Sequence, residues 1–396
     1  MLPTLAGVTL LVSAAGILSV FMLYPCLLWL RSLFARRPGE PAFEGAPPVS
    51  VVVVARNAEG LIGRNIQNCL SLDYPPDGLE LVLCSDGSTD GTNGIMRAAA
   101  EQDERVQFLC TEGHEGKIPG LNRAVGVCAG EIVLLTDADA MLEEGALKKM
   151  VRHYADPEVG GVCGQRVLAK EDSEMGAPQK KYIKLDSAIK LLETRLGWLT
   201  SNDGKLYSVR RELFQPVKPG VTDDLYTCLN VVAQGYKFLF EPDARVFIGR
   251  PSRNLMHEIK RRRRIVAQSL NGIFARREML NPFRYGLFAC GLFVNKVMRR
   301  MLPVFLLLAL CSSVYLGFGN LWLRALALAQ VGFYTSAAVA ILLEALPVWC
   351  HIPRPVRAAG QFCSYFCAGN VGTLAGLVTF LAGREIQKWE PVKQDV

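Results

Sequence analysis

Apolar residues fall along this chain in three blocks of different grain. Residues 5–30, from Leu5 to Leu30, carry no charge, a run longer than the roughly 20 apolar residues a bilayer core requires. From residue 49 the runs shorten: Val49-Ser-Val-Val-Val-Val54, Leu79-Glu-Leu-Val-Leu-Cys84, Val106–Cys110 and Ile132-Val-Leu-Leu135. Brief unbroken runs of this kind predict strands buried on both faces. Helical segments separate them: 59–72, closed by Asp73-Tyr-Pro-Pro, a second ending near Glu101, and a third over 118–128. Strand and helix in short alternation predict a right-handed βαβ series, an α/β fold with a mostly parallel sheet.

Beyond residue 160 the pattern is mixed. Tyr182 to Leu196 has helical periodicity, Asp203 to Phe214 predicts a strand turning into a helix start, and Val221-Thr-Asp-Asp-Leu225 opens another helix. Gly235 to Phe240 predicts a strand and Glu258-Ile-Lys-Arg-Arg-Arg-Arg-Ile265 a basic helix. The third block is apolar again. Residues 282–300, ending in Lys296, Arg299 and Arg300, predict an amphipathic interfacial helix. Leu302–Phe318 and the stretch from Ala325 to Leu346 predict spans joined by the short turn Gly317-Phe-Gly-Asn320. Residues 362–382 are apolar enough to cross or to re-enter; a crossing would set Arg384, Lys388 and Lys393 outside, against the charge rule. The division expected is an N-terminal membrane helix (1–32), a Pro/Gly-rich linker (33–48), a globular domain (49–281), the interfacial helix (282–300), two or three spans (301–383) and a tail (384–396).

Composition sharpens this picture. Half the residues are hydrophobic and the mean hydropathy is +0.21, with the surplus concentrated at the two ends, the profile of a membrane-anchored enzyme. The start lacks the basic n-region and small-residue cleavage site of a signal peptide. Arg31, Arg36 and Arg37 follow the first apolar run, which predicts a multi-pass protein with its globular domain in the cytosol. The net charge of +7 suits anionic lipid or phosphate neighbours rather than nucleic acid. The twelve cysteines show no paired metal-ligand spacing; Cys84, Cys110 and Cys128 fit a core, and Cys363 and Cys367 sit one helical turn apart in position to pack.

The candidate chemistry lies at strand ends. The apolar run 132–135 leads into Thr136-Asp-Ala-Asp139, placing two carboxylates at the carboxyl edge of the sheet, where open α/β folds bind ligands. Acids at i and i+2 can share one hard divalent cation. The second strand leads into Ser85-Asp-Gly-Ser-Thr-Asp-Gly91, so Asp86 should converge on the same edge. Gly-x-Gly-x-x-Gly and Gly-Lys-Ser/Thr phosphate loops are both missing, and no Ser-His-Asp or Cys-His set suggests a covalent nucleophile.

In order along the chain, Val-Val-Val-Ala-Arg-Asn (52–57), Ser-Asp-Gly-Ser-Thr-Asp-Gly, Gly-Lys-x-x-Gly-Leu-Asn (116–122), Thr-Asp-Ala-Asp, Gly-Lys-Leu-Tyr-Ser-Val-Arg-Arg and Thr-Asp-Asp resemble the membrane-bound family 2 glycosyltransferases, inverting enzymes with a GT-A fold. The resemblance covers about residues 49–270. It implies that Asp86 binds the base or ribose of a nucleotide-sugar donor, that Lys117 and Asn122 lie along the nucleotide, and that Asp137 and Asp139 hold Mg²⁺ or Mn²⁺ on the diphosphate, with Asp139 the direct ligand. Asp224 aligns with the general base. Where processive relatives carry Gln-x-x-Arg-Trp, this chain has Arg261-Arg-Arg-Arg264-Ile265: Arg264 keeps the phosphate-clamping place, Arg261 replaces the Gln and Ile265 the acceptor-stacking Trp. The implied function is transfer of a sugar, UDP-linked by expectation, to a lipid-linked saccharide or glycolipid at the cytosolic face of the inner membrane, among membrane lipids and other polysaccharide-pathway proteins. The alternatives are a processive exopolysaccharide synthase and a non-catalytic scaffold.

Overall fold

A computed structural model describes residues 2–35, 45–168, 176–249, 254–344, 346, 349, 351–384 and 386. Arg36, Arg37, most of the expected linker, Lys388 and Lys393 lie outside these residues.

The valine run forms β1 (Val49–Ala55), buried throughout. Its side chains alternate between two cores. Val49, Val51 and Val53 join Leu81 and Leu134 on one face of the sheet, while Val52 and Val54 join Val82 and Leu135 on the other. Burying a valine or leucine stabilises by about 1.5–3 kcal/mol, so a strand covered on both sides tolerates no polar alternation. That is why the run is unbroken. β2 (Leu79–Ser85), β3 (Val106–Cys110) and β4 (Ile132–Asp137) join it in parallel, linked through α2 (Glu59–Leu70), α3 (Thr92–Gln102) and α4 (Lys117–Val127), α1 being the N-terminal helix described below.

The parallel series predicted from the sequence is therefore present in the first half of the sheet. The remainder is mixed: β5 (Ala140–Leu142), β6 (Val159–Leu168), β7 (Leu206–Arg210) and β8 (Lys237–Ile248) complete the order β3-β2-β1-β4-β7-β6-β8-β5. β7 runs antiparallel to both β4 and β6, and β8 parallel to β6. The chain leaves β1 toward β2 and β3, then returns to its other side with β4. The topological switch point lies between β1 and β4, and Asp137, paired with Val54, ends there.

Helices α5 (Ala146–Val151), α6 (Gly176–Arg195), α7 (Asp223–Ala233) and α8 (Leu255–Ala275) belong to the same body. Among the described residues, four helices are long and apolar enough to cross a membrane: α1 (Leu2–Ser32), α9 (Pro282–Leu316), α10 (Leu321–Glu344) and α11 (Arg354–Leu381). The interfacial helix expected over 282–300 and the span expected from 302 are one element, α9, bent at Gly286 (φ 55°) and wound as a π-helical turn over Phe293–Met298. Tyr24 and Leu28 of α1 pack against Ile189 of α6, and Phe288 and Leu292 of α9 against Leu225 and Leu229 of α7. Two of the apolar helices, α1 and α9, thereby pack directly on helices of the sheet domain.

Candidate active site

At the end of β4, Asp137 receives two ammonium groups. Lys117, first residue of α4, places Nζ 2.8 Å from Oδ1, and Lys205, just before β7, places Nζ 3.0 Å from Oδ2. Burial opposes the charge on Asp137, but the two lysines outweigh it and hold its pKa well below the ordinary carboxylate range. Lys205 also pairs with Asp139, and Lys117 reaches Asp223 Oδ2 at 3.0 Å. Tyr207 donates its hydroxyl to the same Asp223 oxygen at 3.2 Å. Residues from β4, α4, β7 and α7 thus meet in one charged knot at the switch point.

Asp224 differs from its neighbour. Its Oδ1 accepts the Leu225 N–H at 2.7 Å, and the Asn202 amide donates to its main-chain carbonyl at 3.1 Å. Burial and then the adjacent Asp223 charge push its pKa up to about 6. The two acids of Thr-Asp-Asp therefore divide: Asp223 is paired with Lys117 and accepts from Tyr207, while Asp224 is kept proton-accepting near neutrality.

Asp86, predicted to bind the donor, is buried in the turn after β2. It accepts N–H bonds from Glu115 at 2.8 Å and Gly116 at 3.0 Å, and its Oδ2 lies 2.9 Å from His114 Nδ1. The close approach needs glycine at Gly87 (φ 59°), where a Cβ would lie 2.4 Å from the Gly113 carbonyl carbon. His114 Nε2, and Arg56 Nη1 from the loop after β1, are buried without a hydrogen-bond partner. Asn122 does not stand free as the expected nucleotide ligand. Its amide is engaged at both ends by the Val217 backbone, 2.9 Å each way, because a side-chain amide can pair with a peptide group as another peptide would. It ties α4 to the segment before α7.

The basic helix α8 supplies Arg261 and Arg264. Arg261 is held by the buried Glu258, at 3.0 Å from both Nε and Nη2. Arg264 has its pKa lowered by burial and by Arg261, an effect opposed by Asp137, Asp223 and Asp224, which puts it within electrostatic reach of the knot. Ile265 is half-buried.

A second network fixes the floor of the site. Glu193 of α6 is fully buried; it accepts from the hydroxyls of Tyr24 and Thr200 and from the Thr200 N–H at 2.9 Å. From the π-helical turn of α9, Asn295 donates to Thr200 at 2.8 Å and Lys296 to Ser201 at 2.6 Å. The loop that carries Asn202 to Asp224 is therefore held by α9 directly and by α1 through Glu193.

Lys205, Asp223, Tyr207, His114 and Arg56 were not among the residues expected at the site. Lys205 and Tyr207 stand inside the Gly-Lys-Leu-Tyr segment, but Lys205 finds its partners at the end of β4, far away in sequence, and Tyr207 at the start of α7, and no spacing announces either.

Residues 50–216 match the family model described as Glycosyl transferase family 2. Over this segment the chain carries a domain similar to the family 2 glycosyl transferases. This domain contains Asp86, Lys117, Asp137, Asp139 and Lys205, whereas Asp223, Asp224 and α8 follow it. The chain is 32% identical over 127 residues to the beta-monoglucosyldiacylglycerol synthase of Synechocystis sp., covering 32% of this chain and 26% of that one. With the enzyme of the same name from Nostoc sp. it shares 28% identity over 202 residues, 49% of this chain and 43% of the relative. With the poly-beta-1,6-N-acetyl-D-glucosamine synthase of Staphylococcus aureus it shares 23% over 200 residues, 49% and 48%. The chain spans less than half the length of these curated relatives. Among solved structures it resembles the mannosyltransferase PcManGT of Pyrobaculum calidifontis, in complex with GDP-Man and Mn²⁺, with TM-score 0.68 and 25% identity over 95% of this chain and all of that one.

Proposed function

We propose that the chain is a membrane-bound inverting glycosyltransferase that moves one sugar from a nucleoside diphosphate sugar to a hydroxyl of a lipid or lipid-linked saccharide at the cytosolic face. The observation that carries this reading is the division of the knot. Asp137 and Asp139 stand at the end of β4, at the switch point where a diphosphate would lie, and Lys117 ties Asp137 to Asp223, the neighbour of an Asp224 whose carboxyl is pushed up to about 6.

Inversion is a single displacement at the anomeric carbon. In it Asp224 removes the proton from the acceptor hydroxyl, Asp223 stays engaged by Lys117 and Tyr207, and Arg264 contributes positive charge toward the departing diphosphate. Asp137 and Asp139 offer only carboxylate oxygens, which suit Mg²⁺ or Mn²⁺. Among the described residues no group of three His, Cys, Asp or Glu could hold a metal ion by itself, so the remaining ligands come from donor and water. Such a cation supplies charge to the leaving diphosphate. The Mn²⁺ in the P. calidifontis structure supports this, and its GDP-Man argues for testing guanosine as well as uridine donors.

The apolar helices that grip the 198–204 loop support an acceptor arriving from the membrane, as does the similarity to glycolipid synthases. Ile265 in place of a stacking aromatic supports single transfer over processive synthesis. Nucleotide release by the detergent-purified full chain, screened over UDP- and GDP-sugars with Mg²⁺ or Mn²⁺ and with lipid extracts as acceptors, tests the proposal. Metal-dependent release from one donor, lost in Asp139→Ala, is expected; release from none with every acceptor rejects it.

A further inference from the structure

At the knot, Lys205 is fixed by the sheet opposite the carboxylates at the end of β4. The antiparallel ladder pairs Thr136 with Leu206, and the Thr136 hydroxyl donates to the Lys205 carbonyl at 2.8 Å, so the backbone holds Lys205 directly across from Asp137. Its Nζ lies 3.0 Å from Asp137 Oδ2 and also pairs with Asp139. The lysine therefore bridges the same two carboxylates that the proposed function gives to a divalent cation.

A metal ion can reach these two carboxylates only if the ammonium swings off them, and a flexible four-carbon stem permits that. A divalent cation arriving alone would have to displace an ammonium from Asp139 and leave two positive charges side by side. One arriving with a diphosphate brings an anion to which the ammonium can transfer, so the displacement is compensated.

We propose that Lys205 is a tethered counter-ion that couples metal binding to diphosphate binding: it holds Asp137 and Asp139 while the donor is away and turns to the diphosphate when donor and metal enter together. This inference rests on the proposed glycosyltransferase reading. It assigns Lys205 a positioning role that none of the expected site residues fills, and it predicts ordered loading in which free metal binds poorly.

The test is Mn²⁺ binding, read from the electron paramagnetic resonance signal of free Mn²⁺ with the purified full chain, in the absence and presence of GDP or UDP. Wild type should bind Mn²⁺ weakly alone and at least ten-fold more tightly with a nucleotide. Lys205→Met and Lys205→Gln should each bind Mn²⁺ alone about ten-fold more tightly than wild type and gain little from nucleotide, while Lys205→Arg keeps the coupling. Two neutral replacements guard against one folding poorly, and matching circular dichroism spectra qualify each for comparison. Unchanged or weaker nucleotide-free Mn²⁺ binding in folded Met and Gln variants overturns the coupling while leaving the metal site intact. Failure of wild type to bind Mn²⁺ even with either nucleotide rejects the metal reading itself, and the coupling with it.

Discussion

Lys117 and Asp223, 106 positions apart in the chain, meet at 3.0 Å. The same ammonium lies 2.8 Å from Asp137, so one side chain joins the acids at the end of β4 to the acids at the start of α7. Burial works against the charge on Lys117, yet Asp137 and Asp223 hold its pKa above the lysine value. The two carboxylate motifs are electrostatically a single unit.

Removing that link should therefore damage both. Lys117→Met would leave Asp137 with Lys205 alone and Asp223 with only the Tyr207 hydroxyl. Loss of one preorganised charge of this kind typically costs about 10²–10³ in rate. The expected outcome is a fall of that size in kcat, measured by nucleotide release, with the acidic limb of the pH profile moved upward because the Asp223 charge, no longer offset by Lys117, repels the charge on Asp224 more strongly.

The position of that limb in the unaltered protein follows from Asp224. Its carboxyl titrates at about 6 in the folded state, above the ordinary aspartate range, and only the ionised form accepts a proton. Activity should rise with pH through about 6 and level off above 7. Stability has the opposite sign. The buried charge is unfavourable once it forms, so Asp224→Asn should raise Tm at pH 7.5, and the gain should shrink as the pH falls toward 5, where wild type is protonated too. An inactive but more heat-resistant variant at pH 7.5 is expected; equal Tm at both pH values would show that Asp224 carries no such penalty.

The parallel half of the sheet and its carboxylate edge were legible in the sequence because unbroken apolar runs have few other uses, and parallel strands deliver their ends to one side. The antiparallel insertion of β7 between β4 and β6 was not, since local pattern does not say which strand a short run will pair with. Lys205 owes its place to that pairing, and so no local signal marked it. Asn122 shows the converse. A motif can identify a position while the fold commits its side chain elsewhere, here to the Val217 backbone.

Asp86 and His114 should separate in mutation. Asp86 holds the Glu115 and Gly116 N–H groups, so Asp86→Ala removes the acceptor for buried donors and should destabilise by about 1–3 kcal/mol, read as a lower Tm. In His114→Ala those backbone bonds persist. The buried, unpartnered Nε2 would then matter for ligand only: KM for the donor should rise about ten-fold with kcat and Tm nearly unchanged.

What keeps α8 in place is α11, which lies along it on glycines. A Cβ at Gly372 would stand 2.8 Å from the Ile259 carbonyl oxygen, and one at Gly376 2.7 Å from Val266 Cβ and 2.8 Å from the Arg263 carbonyl oxygen. Two of these contacts are backbone and cannot give way by rotating a side chain. The Arg262 guanidinium hydrogen-bonds Tyr365 at 3.3 Å, and the Arg263 Nε donates to Thr379 at 2.9 Å, so the two helices share one register over their length. Arg264 projects from α8 within electrostatic reach of Asp137, Asp223 and Asp224. Gly376→Leu should push the helices apart and carry Arg264 with them, raising KM for the donor and lowering kcat although the substitution lies outside residues 50–216, which match the family model. Gly332→Leu on α10, where an added Cβ would meet no atom within 4 Å, is the matched control and should leave both constants unchanged. Equal effects of the two substitutions would mean that the apolar helices respond to added bulk in general, and that α11 does not set the position of Arg264.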